Sequence, residues 1–94
     1  MGRSIDNYED LKAIAGLLNR GILRCHSMND DTFTITLVPY EESFEYCQEF
    51  LQELVNRTGC CYFEEIHELV GSFALDFYDF NDAQTFDDLL MNND

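Results

Sequence analysis

The chain has 94 residues, is 46% hydrophobic and 14% aromatic, and carries 19 Asp and Glu against five Lys and Arg, for a net charge of −14. That length makes one acidic domain over residues 1–94, burying roughly two-thirds of its unfolded surface. The apolar content excludes a disordered chain, and no apolar run approaches the ~20 residues of a membrane span.

Residues 6–20 read as a helix, capped by Asp6 or Asn7 with Glu9 or Asp10 reaching back. Tyr8, Leu11, Ile14, Ala15 and Leu18 fall on one face, and Gly21 stops it. Residues 22–28 read as a strand, followed by turn chemistry at Asn29-Asp30-Asp31. Residues 32–38 alternate cleanly: Phe33, Ile35 and Leu37 face in, the threonines face out, and Pro39 ends the run. Residues 41–57 read as a helix with Phe44, Cys47, Leu51, Leu54 and Val55 as an apolar stripe, Phe50 beside it, and Gly59 as its close. Residues 60–70 fit either a helix or the first arm of a hairpin; Val70-Gly71-Ser72-Phe73 favours the hairpin, with Gly71 at the first central position of a type II′ turn. Phe73, Leu75 and Phe77 then alternate inward, and Asn81 or Asp82 caps a short acidic helix. The expected fold is α+β: two antiparallel hairpins, about 22–38 and 61–80, packed on one side with helices at about 6–20, 41–57 and 82–91.

The charge is unevenly placed. Residues 1–24 hold four of the five basic groups (Arg3, Lys12, Arg20 and Arg24), while residues 25–94 hold only Arg57 against 16 acids. Such a surface repels nucleic acid and anionic lipid and steers toward basic partners. Glu42, Glu45, Glu49 and Glu53 recur at steps of three and four, so they line one helical face. Their ~5–6 Å spacing is comparable to that of backbone phosphates, so such a row can occupy Arg and Lys sites that bind phosphate. The plainer account is a solvated face that tolerates its own repulsion. A second acidic set, Glu64, Glu65, Glu68, Asp76, Asp79, Asp82, Asp87, Asp88 and Asp94, is interleaved with the aromatics Tyr62, Phe63, Phe77, Tyr78 and Phe80. Among these, Tyr78 and Phe80 are placed on the strand face opposite Phe73, Leu75 and Phe77, as interface candidates or a homodimer face.

Other chemistry finds little footing. Asp79-Phe80-Asn81 opens like a calcium loop but lacks the later glycine and glutamate. Glu64-Glu65-Ile66-His67 matches a di-iron helix motif without its second copy. Cys25, His26, Cys60 and Cys61 are zinc-type ligands at an unfavourable spacing, so no metal or cofactor is expected. The thiols read as free, since the start Met1-Gly2-Arg3-Ser4-Ile5-Asp6 lacks the apolar stretch of a secretory signal. The same start predicts a cytoplasmic protein, in the host cell if the chain is phage-encoded. His67 is expected across from Asp76, the beginning of an acid–base pair, but no nucleophile in a recognisable turn accompanies it, so no enzyme is expected.

The function these features predict is a small acidic inhibitor. It would bind the basic surface of a nucleic-acid-binding protein, a nuclease or a defence complex, by imitating phosphate charge. This is the character of phage inhibitors of CRISPR and restriction systems, a likeness of size and charge alone. The expected contacts are Glu42, Glu45, Glu49, Glu64, Glu65, Glu68, Asp76, Tyr78, Asp79, Phe80 and Asp82. An immunity protein or antitoxin against a toxin nuclease, and an acidic adaptor whose charge serves only solubility, are the alternatives.

Overall fold

The computed structural model describes residues 3–58 and 63–91. In chain order the elements are α1 (Arg3–Leu18), β1 (Leu23–Asn29), β2 (Thr34–Pro39), a 3-10 turn (Glu41–Ser43), α2 (Phe44–Thr58), β3 (Phe63–Leu69), β4 (Ser72–Phe77) and α3 (Phe80–Met91). The four strands form one sheet in the order β1-β2-β4-β3, antiparallel throughout. This is the α+β arrangement of two hairpins and three helices that the sequence predicts.

Register explains which side is covered. Ile35 pairs with Leu75 and Leu37 with Phe73 across the two central strands. These four side chains therefore share one face, and all are buried. The buried residues of α1 (Leu11, Ile14, Ala15, Leu18), α2 (Cys47, Leu51, Leu54) and α3 (Ala83, Phe86, Leu90) join them in a single core. Phe86 meets the ring of Phe77 at 5.6 Å, and Phe44 stacks on Phe73 at 4.8 Å between ring centres. The Asn19 side chain donates to the Leu89 carbonyl at 3.3 Å, tying the end of α1 to α3.

Strand β3 reaches this core through an irregularity. Ile66 pairs with Leu75 and Glu65 with Asp76, but the register shifts before Phe63, which pairs with Phe77. By plain alternation Phe63 would stand beside Glu65 on the uncovered face. The bulge turns it inward instead, where it is buried with its ring 4.9 Å from that of Phe77.

Several expectations are corrected. Helix α1 begins at Arg3, so Asp6 and Asn7 lie inside it and cannot cap it. Gly21, at φ +83°, does mark its exit. Tyr8 and Val55 are exposed rather than core. Phe33 sits in the turn before β2 at φ +53°, with the Asp31 N–H donating to Asn29 Oδ1 at 3.0 Å just upstream. Strand β4 ends at Phe77, not near residue 80, because Asp79 starts a helix. Its Oδ1 accepts the Asn81 N–H and its carbonyl accepts the Ala83 N–H, both at 3.1 Å. Asp79, rather than Asn81 or Asp82, is therefore the cap of α3. The second hairpin turns on Val70-Gly71, with Leu69 opposite Ser72. Gly71 carries the positive φ, +78°, at the second central position, so the turn is not type II′. Gly59, Cys60, Cys61 and Tyr62, and hence the expected start of that hairpin at residue 61, lie outside the described residues.

Candidate functional site

The acidic stripe is where periodicity puts it. Cys47, Leu51 and Leu54 are drawn into the core, which rolls Glu45, Glu49 and Glu53 onto the outer side of α2. Glu42 precedes them in the 3-10 turn. All four are exposed, and none forms an ion pair among the described residues. From Glu42 to Glu53 the row runs for about 16 Å at helical rise. At its start, Arg24 of β1 borders a shallow depression with Glu41, Glu42 and Glu45, so this end has a cation nearby.

Beside the stripe lies a groove between α2 and edge strand β3, of about 340 Å³. Leu51, Phe63, Ile66 and Phe73 contribute its apolar lining, and Glu64, Glu65 and Glu68 its acidic rim. Gln48 Nε2 donates to Glu68 Oε1 at 2.8 Å, linking helix to strand. Tyr78, 60% exposed, also lines the groove. The fold thus brings Glu64, Glu65, Glu68 and Tyr78 together next to the α2 row.

The remaining predicted contacts lie elsewhere. Asp79 is engaged in capping α3, and Asp82 is half-buried in the first turn of that helix. Phe80 is corrected: it opens α3 instead of extending β4, and it packs against Phe33 with ring centres 5.8 Å apart. It is half-buried and does not face outward beside Tyr78.

Asp76 belongs to a polar network on the uncovered face of the sheet. Thr34 Oγ1 donates to Asp76 Oδ1 at 2.8 Å, and Thr32 Oγ1 donates to Thr34 Oγ1 at 2.8 Å. His67 Nε2 lies 2.9 Å from Asp76 Oδ2 and 3.7 Å from Glu65 Oε1. The expected pairing is displaced here too. Asp76 stands directly opposite Glu65 and His67 opposite Ala74, so His67 reaches Asp76 along the diagonal. The hydrogen bond to Asp76 holds the His67 pKa above its ordinary value; desolvation opposes it less strongly, and the charges of Glu65 and Asp76 add smaller upward pushes. The ring nitrogen is thus held in a fixed place beside two carboxylates.

The other histidine is structural: His26 Nε2 meets Asp87 Oδ1 at 3.3 Å, joining β1 to α3 on the covered side. Cys25 is exposed and Cys47 buried, both as free thiols, and burial pushes the Cys47 thiol up to about 11. Cys60 and Cys61, the other two zinc-type side chains that the sequence offers beside Cys25 and His26, lie outside the described residues.

No protein-family model matches the chain, and neither does any curated protein or solved structure. Sequence reasoning missed three features: Thr34 as the anchor of Asp76, the Gln48–Glu68 link, and the groove. The signal for the network was present in Glu65-Ile66-His67, two polar side chains two residues apart and so on one face of a strand.

Proposed function

We propose that the protein is a small acidic inhibitor that occupies the basic nucleic-acid-binding surface of a target protein by imitating phosphate charge. In character it is an anti-defence protein of the anti-CRISPR or anti-restriction kind, working in the cytoplasm by binding and not by catalysis. The observation that supports this most is the row Glu42, Glu45, Glu49 and Glu53, exposed and without ion pairs among the described residues, beside the groove rim of Glu64, Glu65 and Glu68. An ordinary solvated helix mixes signs at this spacing and gains a few tenths of a kcal/mol per pair, whereas like charges cost similar amounts. A basic partner converts that repulsion into attraction, with guanidinium forks taking two carboxylate oxygens at once. Tyr78 and the apolar groove add contact area that salt does not screen.

The test is a pull-down from host lysate, or from cells carrying a defence system, eluted in salt steps. A basic nucleic-acid enzyme released by salt and displaced by DNA or RNA supports the reading. The double variant Glu45→Lys, Glu49→Lys is expected to weaken that complex by at least about tenfold, since like charges meeting across an interface cost several kcal/mol. A toxin nuclease as the captured partner would make the protein an immunity factor working by the same physics. A partner held unchanged at about 0.5 M salt and indifferent to nucleic acid would refute charge mimicry, because exposed charges are then almost fully screened.

A further inference from the structure

The geometry points to a divalent-cation site of zinc type formed by Glu65, His67 and Asp76 on the uncovered face of the sheet. This site lies apart from the α2 row and does not depend on the reading of that row, although Glu65 also belongs to the groove rim. Glu65 and His67 are two residues apart on β3, so they stand on one face about 7 Å apart along the strand. Asp76 on β4 is directly opposite Glu65, where facing Cβ atoms are about 5 Å apart. The three side chains lean together until their donor atoms all lie within 4.8 Å of one another. Nε2 of His67 is 2.9 Å from Asp76 Oδ2 and 3.7 Å from Glu65 Oε1. A tetrahedral ion bound at about 2.1 Å holds its ligands about 3.4 Å apart, so small side-chain movements suffice to admit it.

The donor chemistry agrees with the geometry. One imidazole and two carboxylates give three protein ligands and leave a fourth position open to water. The imidazole favours zinc, cobalt or nickel over magnesium and calcium. Thr34 holds Oδ1 of Asp76, leaving Oδ2 turned to the shared point. That is the part an outer hydrogen-bond partner plays at a metal centre. Facing carboxylates repel across a strand pair, and a dication between them removes that cost. It also ties edge strand β3 to β4. This donor set differs from both the Cys-His tetrad and the Glu-x-x-His motif, because it depends on cross-strand register rather than on spacing along the chain.

The full-length chain, reduced and stripped with EDTA, is titrated with zinc and with cobalt(II) chloride, following heat, visible absorption and the histidine ring resonances. The expected result is one site, with cobalt broadening the ring signals of His67 before those of His26. His67→Ala and Asp76→Asn should each lower the affinity at least tenfold, and Thr34→Val by roughly tenfold through Asp76. Magnesium at the same concentration should leave the His67 signals unchanged. The ring-broadening readout uses the unaltered chain, so it stands even if a variant folds poorly. Equal broadening of both histidines, a thiolate-to-cobalt charge-transfer band, or undiminished binding by a folded His67→Ala chain would overturn the site. The ion would then be held by cysteines or scattered over surface carboxylates.

Discussion

His67 illustrates how much one residue's environment can be read from its neighbours. Its ring stands between Asp76 and Glu65, and both carboxylates favour the protonated form. In metal-free solution the ring should therefore titrate above its ordinary 6.5. A folded-state pKa raised above the unfolded one stabilises the fold fully below the unfolded value. That contribution is lost as pH climbs through the folded value. The contribution is thus complete below about pH 6.5 and fades as pH rises through the raised folded-state value, and the partly exposed position of the pair keeps its size small. Proton NMR of the His67 ring in EDTA checks the shift, and Asp76→Asn should bring the pKa back toward 6.5 because the largest contribution is the Asp76 hydrogen bond. A His67 that titrates identically in both chains would mean that the Asp76 contact is not made in solution.

Among the elements, α3 shows how a single side chain sets a boundary. Plain alternation from Phe73 through Phe77 extends to Tyr78 and Phe80, which is why the sequence predicts strand there. The competing signal is Asp79, whose carboxylate satisfies the Asn81 N–H at 3.1 Å and favours helix from Phe80 onward. Asp79→Ala should therefore destabilise the domain by about 1 kcal/mol, read as a shift in the urea midpoint at constant slope. A change below a few tenths of a kcal/mol would assign the start of α3 to the packing of Phe80 on Phe33 instead. The hairpin before it teaches a related lesson. A turn centred on Gly71-Ser72 and one centred on Val70-Gly71 place every side chain on the same face. They differ only by two residues in each cross-strand partner. Alternation therefore made the core face of β4 legible, with Phe73, Leu75 and Phe77 inward, but could not show that Asp76 faces Glu65 rather than His67. The acidic stripe was legible because one continuous helical run, the 3-10 turn and α2, carries it. The groove and the sheet-face network were not, since each joins residues from different elements, and the bulge that turns Phe63 inward has no signature in spacing.

At the scale of the whole molecule, the net charge of −14 on 5962 Å² of surface sets folding and binding against each other in their response to salt. Neighbouring carboxylates along α2 are closer than the screening length, which is about 30 Å at 0.01 M salt and 8 Å at 0.15 M. Their repulsion is present in the folded chain and relaxed when it expands, so screening favours the fold. A domain of this size gains about 4–8 °C in Tm per kcal/mol. Raising sodium chloride from about 0.01 to 0.3 M should accordingly raise the thermal midpoint by several degrees. The ion pairs between described residues give little counterweight: His26–Asp87 and the His67 contacts each need a protonated imidazole to carry charge. Over the same salt range a complex held by the acidic row should weaken steeply, because the same screening now removes attraction. Calorimetry of the free chain and affinity measurements on the captured complex therefore test one cause from both sides. A midpoint that stays flat or falls would show that repulsion is no burden on the fold, and the exposed carboxylates would then need no basic partner to account for their number.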